Sequence, residues 1–240
     1  MKRLHFDRCT STNDMLKTEH GDLLAAVAEE QTAGRGQRGN SWYSEAGRNL
    51  LFSVLTEPQG VLASEAFILS QAMALAIART LEGRLPEREV RIKWPNDIYV
   101  GGRKVCGILI ENDLQGKRLM RSIIGCGVNV NQTDFPDGLA APATSLALET
   151  GREEDRELLL DDILAAFETL YRQLCEGLYE GIRRDYHGRL YLRGVKTRFE
   201  DAGGVFEGII SRVEHDGHLI IEDAGGEARR YAFKEVKIKL

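Results

Sequence analysis

Glu29-Glu30-Gln31-Thr32-Ala33-Gly34-Arg35-Gly36-Gln37-Arg38-Gly39-Asn40-Ser41-Trp42 puts three glycines, two arginines and a tryptophan into one short stretch. An apolar run, Asp22 to Ala28, leads in, and a strand-like run, Asn49 to Leu55, follows. Glycines let a backbone turn sharply and approach a ligand closely. Arginines offer planar forks of donors that suit phosphate and carboxylate. A tryptophan offers a flat apolar face for a base. The spacing Gly34-x-Gly36-x-x-Gly39 matches a dinucleotide fingerprint, but that fingerprint requires a helix to open at the third glycine. Here Asn40-Ser41-Trp42-Tyr43-Ser44 follows and then a strand, so a doubly wound parallel sheet is rejected. No glycine is followed by Lys-Ser or Lys-Thr, so the P-loop pattern is absent too. Two readings remain. The stretch is a glycine-rich surface turn, or a loop closing over an anionic, base-bearing ligand such as a nucleotide.

The flanking sequence predicts alternating strands and helices. Leu4-His5-Phe6 reads as a first strand, and Ser11-Thr12-Asn13-Asp14 as a polar helix start ahead of Met15 and Leu16. Leu23 to Ala28 and Asn49 to Thr56 read as buried strands. Ser64 to Leu81 carries Ala, Leu, Ile and Met at helical spacing, with Gly83 past its end. Val90 to Lys93 is a short strand stopped by Pro95. Ile98 to Val100, Gly101-Gly102 and Lys104 to Glu111 form a hairpin, and Leu119 to Val130 a further strand. Arg156 to Tyr179 is helical. From about Tyr186 to Arg193 the character changes to short alternating strands with glycine turns, a small antiparallel barrel or sandwich. The fold class is therefore α+β.

The 240 residues suffice for one large domain with an appendage. A net charge of −5 argues against non-specific nucleic-acid binding, which needs a basic footprint. No apolar stretch approaches the roughly 20 residues that span a bilayer. Met1-Lys2-Arg3-Leu4-His5-Phe6-Asp7 lacks the apolar centre of a signal peptide, and Cys9, Cys106, Cys126 and Cys175 form no C-x-x-C pair. The expectation is a cytoplasmic protein with reduced thiols that binds neither DNA nor membrane.

Four further clusters could carry chemistry. Lys93-Trp94-Pro95-Asn96-Asp97 is either an Asn-Asp turn packed by Trp94 or a set of hard oxygen donors for Mg²⁺ shared with phosphates. Lys104 opens an apolar strand and must find an anion or reach water. A regular strand would point Cys106 to the side of Lys104, into a ligand pocket. Gly125-Cys126-Gly127-Val128-Asn129 marks a bend in a strand, or a close approach by another group. Ser11-Thr12-Asn13 is a helix cap, or three small polar groups able to hold a compact polar head such as a cyclic urea.

The order of these motifs resembles the biotin–protein ligases: S-T-N, then Q-x-x-G-R-G-x-R-G-x-x-W, then K-W-P-N-D, then G-R-K-x-x-G-I-L-x-E, then G-x-G-x-N-V. The resemblance runs from about Leu4 to Asn131 and more loosely through Ala143-Thr144-Ser145-Leu146 into the C-terminal strands. It implies a catalytic domain related to class II aminoacyl-tRNA synthetases and lipoate ligases, over residues 1–188, and a small SH3-like barrel over 189–240. It implies an enzyme that forms biotinyl-5′-AMP from biotin and ATP with Mg²⁺, then biotinylates a lysine of a biotin carboxyl carrier protein such as that of acetyl-CoA carboxylase. By resemblance, Ser11, Thr12, Asn13, Gln31 and Gly107 belong to the biotin site, and Gly34, Arg35, Gly36 and Gln37 to the loop that orders over it. Lys104 would bridge the biotin carboxylate and the α-phosphate, and with Arg35 form the catalytic pair. Arg38, Trp42, Asn96 and Asn129 would lie on the nucleotide side, with Asp97 as metal ligand.

Many relatives carry a basic residue where this chain has Gln37, and a basic pair where it has Asn40-Ser41, so the loop here is less cationic. Some relatives begin with a DNA-binding helix-turn-helix domain, for which this chain leaves no room ahead of its first strand. Relatives often pair through sheet edges, which makes a homodimer an expectation. The competing reading is a lipoate or octanoate ligase or transferase on the same fold.

Overall fold

A computed structural model describes residues 1–139 and 141–239, and of Arg38 the backbone alone. β1 (Lys2–Cys9) runs parallel to β2 (Leu24–Gln31), joined through the single-turn helix α1 (Thr12–Met15). β3 (Leu50–Thr56) follows, all seven of its residues buried. After α2 (Phe67–Arg84) come β4 (Val90–Lys93), β5 (Asp97–Val100), β6 (Arg103–Gln115) and β7 (Arg118–Val128). These form a seven-stranded sheet in the order β1-β2-β3-β7-β6-β5-β4, antiparallel except between β1 and β2. The mixed sheet with separate helices agrees with the α+β expectation.

Three helices follow: α3 (Leu146–Thr150), α4 (Arg156–Cys175) and α5 (Tyr179–Gly188). α2 packs against β4, β5, β6, α4 and α5. It is covered on nearly every side, and even its Ser70 and Gln71 are buried. Apolar residues on all its faces suit that position. Both long helices differ from the sequence reading in their boundaries. A 3₁₀ turn at Ala63–Glu65 precedes α2, which runs on through Gly83. The single helix expected over Arg156 to Tyr179 is two, because Gly177 takes a left-handed φ of 78° and lets the chain turn. No described helix is long and apolar enough to cross a membrane.

The C-terminal strands β8 (Lys196–Asp201), β9 (Gly204–Val213), β10 (Leu219–Asp223), β11 (Ala228–Tyr231) and β12 (Lys237–Lys239) form a second antiparallel sheet, ordered β11-β10-β9-β8-β12. No ladder joins β11 to β12 among the described residues, so the sheet is open. Its inner residues Phe199, Ile210, Val213, Leu219 and Ile221 continue the main hydrophobic core. The junction is specific. Trp94 Nε1 donates to the Gly217 carbonyl at 2.8 Å, and His187 Nε2 accepts from the Val213 amide at 2.9 Å. Gly217 has φ +91°, and a Cβ there would lie 2.9 Å from the Phe67 ring.

One edge of the large sheet is incomplete. β5 pairs with β6 only as far as Gly107. From Leu109 to Gln115, β6 has no strand on that side among the described residues.

Candidate active site

The site lies on the sheet face beneath the glycine-rich loop, and its floor is made by missing side chains. Gly107 on β6 pairs with Gly127 on β7, and Gly125 pairs with Ser53 on β3. Trp42 lies over two of these glycines. A Cβ on Gly107 would sit 2.8 Å from its ring, and one on Gly127 would run into the indole edge. Close approach, not a bend, therefore explains the strand glycines. The Trp42 Nε1–H is buried with no acceptor among the described residues.

Lys104 reaches this floor because β6 is irregular. The register with β5 passes from Ile98↔Cys106 to Tyr99↔Lys104, so Val105 is an extra, bulged residue. A bulge re-aims the side chains that precede it. Lys104 consequently faces the cleft beside Gly107, with Nζ 2.6 Å from Asp97 Oδ1 and 5.4 Å from the Trp42 ring centre. The expectation that Cys106 shares the side of Lys104 is corrected by the same bulge. Cys106 is fully buried in the hydrophobic core, where burial holds its thiol protonated far above the ordinary range. Cys126, which does line the cleft, is likewise raised by burial, so neither thiol is a nucleophile at neutral pH.

The loop above the floor is a tight hairpin. Gly36 N donates to Asn40 O at 2.6 Å, Trp42 N donates to Gly34 O at 2.9 Å, and Arg35 and Ser41 form a bridge. A 3₁₀ turn at Gln37–Gly39 makes its tip. Gly34 is required by packing, since a Cβ there would lie 2.8 Å from the Trp42 carbonyl oxygen. Arg35 ties the hairpin down: its Nη2 lies 2.9 Å from Asp14 Oδ1 and 3.2 Å from Glu111 Oε2. The Gln37 side-chain oxygen is buried with no donor among the described residues. The side chain of Arg38, assigned to the nucleotide, lies outside the described residues.

At the other end of the cleft, Ser11, Thr12 and Asn13 are each buried. Ser11 stands at the N-cap of α1 with extended backbone, yet its side chain caps nothing, so the capping reading fails for it. Thr12 donates to Gln31 Oε1 from its amide (2.7 Å), and its hydroxyl lies 3.2 Å from the same oxygen. That hydroxyl also lies 2.6 Å from Ser53 Oγ. Ser53 donates to Asn13 Oδ1 at 2.6 Å, and Asn13 Nδ2 donates to Glu111 Oε2 at 2.7 Å.

The cleft thus gathers Ser11, Thr12, Asn13, Gln31, Arg35, Gly36, Gln37, Trp42, Asn96, Lys104 and Gly107. Asn96 is held on β6, its amide donating to the Ile108 carbonyl while its own carbonyl accepts from Ile108 N at 2.9 Å. Asp97 joins through Lys104. Asn129 stands apart from the cleft lining, its amide nitrogen donating to Thr144 O at 3.0 Å and its backbone to Val105 O at 2.8 Å. Its side-chain oxygen is buried without a donor among the described residues. The sequence reading did not assign Gly125, Gly127, Leu109, Ser53 or Glu111 to the site. The glycine alternation in β7 and the glutamate closing G-I-L-x-E were the available signals for three of these; nothing in the sequence marks Ser53 or Leu109.

A floor of strand glycines, a cation at a bulge, a polar end and a covering loop together make up the cleft. Residues 5–129 match the biotin/lipoate A/B protein ligase family. The bifunctional ligase/repressor BirA of Bacillus spizizenii is 33% identical over 208 residues, covering 86% of this chain and 63% of that protein. The biotin–[acetyl-CoA-carboxylase] ligase of Paracoccus denitrificans is 34% identical over 232 residues, covering 91% and 93% respectively. The biotin protein ligase of Aquifex aeolicus in complex with biotin and ATP superposes with a TM-score of 0.82 at 26% identity, covering 99% of this chain and 98% of that one. The chain belongs to the biotin/lipoate A/B protein ligase family. It spans 63% of the length of the Bacillus ligase/repressor.

Proposed function

We propose that this chain forms biotinyl-5′-AMP from biotin and ATP and transfers the biotinyl group to a lysine of a biotin carboxyl carrier protein. The observation that carries this is Lys104 on the glycine floor, one cleft away from a polar end built of Ser11, Thr12, Asn13 and Gln31. Relatives named as biotin–[acetyl-CoA-carboxylase] ligases, in Paracoccus denitrificans and Mycobacterium tuberculosis, support the choice of substrate and carrier.

A carboxylate is a poor acyl donor, so one of its oxygens attacks the α-phosphorus of ATP and pyrophosphate leaves. Two anions must approach, and a preorganised cation lowers the cost of bringing them together. Lys104 is the cation of the cleft floor and takes that role on exchanging Asp97 for the two anions. Arg35 fixes the covering hairpin through Asp14 and Glu111, and is available to phosphate if those contacts open. Gly34, Gly36 and Gln37 supply the hairpin that excludes water from the mixed anhydride. Trp42 and Asn96 line the cleft on the nucleotide side, and Asn129 supports that side from behind the lining through Thr144 and Val105. The carrier lysine then attacks the acyl carbon and AMP departs. No group of three or more His, Cys, Asp or Glu side chains comes together among the described residues, which suits Mg²⁺ that arrives with the phosphates of ATP. Asp97, once exchanged by Lys104, would offer a carboxylate oxygen to that ion.

The polar end favours biotin over lipoate or octanoate. A dithiolane or an alkyl terminus would cover the remaining hydrogen-bonding capacity of these side chains without using it, which costs affinity. We take residues 1–188 as the catalytic unit and 189–240 as the appended one, since α5 ends at Gly188 and the second sheet follows. Four unpaired cysteines suit a cytoplasmic setting. The outer edge of β6 from Leu109 to Gln115, which carries no further strand among the described residues, is the sheet edge suited to a second copy of the chain. The deciding experiment supplies purified protein with ATP, Mg²⁺ and biotin. Pyrophosphate release that requires biotin is expected, and ATP turnover indifferent to biotin would refute the assignment.

A further inference from the structure

We propose that Ser53 and Glu111 are positioning residues that set the donor–acceptor polarity of the head-group pocket and so select a cyclic urea. The proposal rests on the biotin reading above. A side-chain amide has two ends of equal size, and its neighbours decide which end points where. The Glu111 carboxylate can only accept, so the Asn13 amide must turn its NH₂ end toward it, as the 2.7 Å contact shows. That leaves Asn13 Oδ1 to accept, and the Ser53 hydroxyl, 2.6 Å away, gives it its single proton. Ser53 Oγ must then accept from the Thr12 hydroxyl at 2.6 Å. Gln31 Oε1 is left to the Thr12 backbone amide at 2.7 Å, which turns the Gln31 NH₂ end to the Gly34 side. One carboxylate at the rim thereby orients Asn13, Ser53 and the Thr12 hydroxyl, and the Thr12 backbone amide fixes Gln31 beside them.

The packing supports a built arrangement. Ser53 is wholly buried in the middle of β3. Its partner across the ladder is Gly125, where a Cβ would collide with Asn13 Oδ1. The strand therefore omits a side chain to seat this amide. A urea presents one acceptor flanked by two donors, so its recognition depends on which ends of Asn13 and Gln31 face it. A flipped Asn13 would set donor against donor. A dithiolane ring makes no such demand.

The test compares wild type with Ser53→Ala, Ser53→Cys and Glu111→Gln in biotin- and lipoate-dependent pyrophosphate release. Ser53→Ala and Ser53→Cys should raise KM for biotin ten-fold or more and leave KM for ATP within two-fold. The ratio of kcat/KM for biotin to that for lipoate should fall by the same factor. Glu111→Gln, whose amide can itself turn either end to Asn13, should give a similar loss of preference. If both Ser53 variants fail to fold, Glu111→Gln alone decides, because its side chain is partly exposed. Variants that lower the melting temperature but keep the wild-type biotin KM and preference would overturn the proposal. A wild-type chain active with neither acid would instead refute the biotin reading itself.

Discussion

Lys104 and Asp97 form an ion pair at 2.6 Å across the bulge between β5 and β6, each side chain about a fifth to a quarter exposed. A lysine at this strand end needs an anion, and the fold supplies one that a better anion can replace. Lys104→Ala should therefore lower the rate of adenylate formation far more than it weakens ATP binding. Removing a preorganised charge of this kind costs about 2–4 kcal/mol in the transition state, roughly 30- to 900-fold in rate. Biotin-dependent pyrophosphate release measures it. A near-normal rate would reduce Lys104 to a strand-end lysine with a structural partner.

Gly127→Ala tests the floor. Its new Cβ would enter the space of the Trp42 indole, so ring or strand must move. Forcing both to stay would cost about 1–3 kcal/mol. The hairpin is the softer element, so the ring should lift off, with small loss of thermal stability and a large loss of ligand binding. The chain has two tryptophans, so Trp94→Phe leaves Trp42 as the sole indole reporter. Its emission should shift to the red in the Gly127→Ala variant. An unchanged spectrum would mean that the strand yields instead.

Gln37 lines the cleft, its side-chain oxygen buried with no donor among the described residues. An arginine in its place would supply a cation beside the phosphate of a bound adenylate. A charge-assisted contact contributes about 1.5–3 kcal/mol, which allows ten-fold or more in the dissociation rate. Preformed labelled biotinyl-5′-AMP, chased from wild type and Gln37→Arg, should leave the variant more slowly. Equal release rates would point to another residue as the latch.

His187 links α5 to β9 through the Val213 amide. Its pKa is lowered from 6.5, chiefly by burial, with the Arg193 charge adding to the effect. The unfolded chain then binds this proton more readily than the folded one. The stability contribution is full above pH 6.5 and falls as pH drops below it toward the lowered folded value. His187→Gln should flatten the dependence of the melting temperature on pH as pH falls below about 6.5. A parallel pH profile in the variant would place the acid sensitivity elsewhere.

The sequence made much of this cleft legible because its residues stand together in short motifs. Lys104, Trp42 and the three glycines of the hairpin stand out by their neighbours, and the rejection of a dinucleotide fold from the residues after Gly39 agrees with the strand that follows. What stayed hidden is long-range. Ser53 sits in a run of apolar residues, and only its place between Thr12 and Asn13 gives it meaning. The break after Cys175 depends on Gly177, one of many glycines. Arg35 reads as a phosphate ligand from its neighbours in sequence, whereas its partners Asp14 and Glu111 come from two other elements.

Cys106 shows what local reading cannot supply, since alternation along a strand holds only while the register does. The extra residue at Val105 makes the span from Tyr99 to Gly107 a matter of count as much as of identity. Straightening the bulge with Val105 still in the strand would restore regular alternation and turn the Lys104 ammonium to the side of the sheet that Cys106 now occupies, among buried aliphatic chains. Single substitutions in this segment alter one contact each. Loss of this one bulge would exchange the inside of the protein for its working surface, so register here is constrained more tightly than side-chain identity.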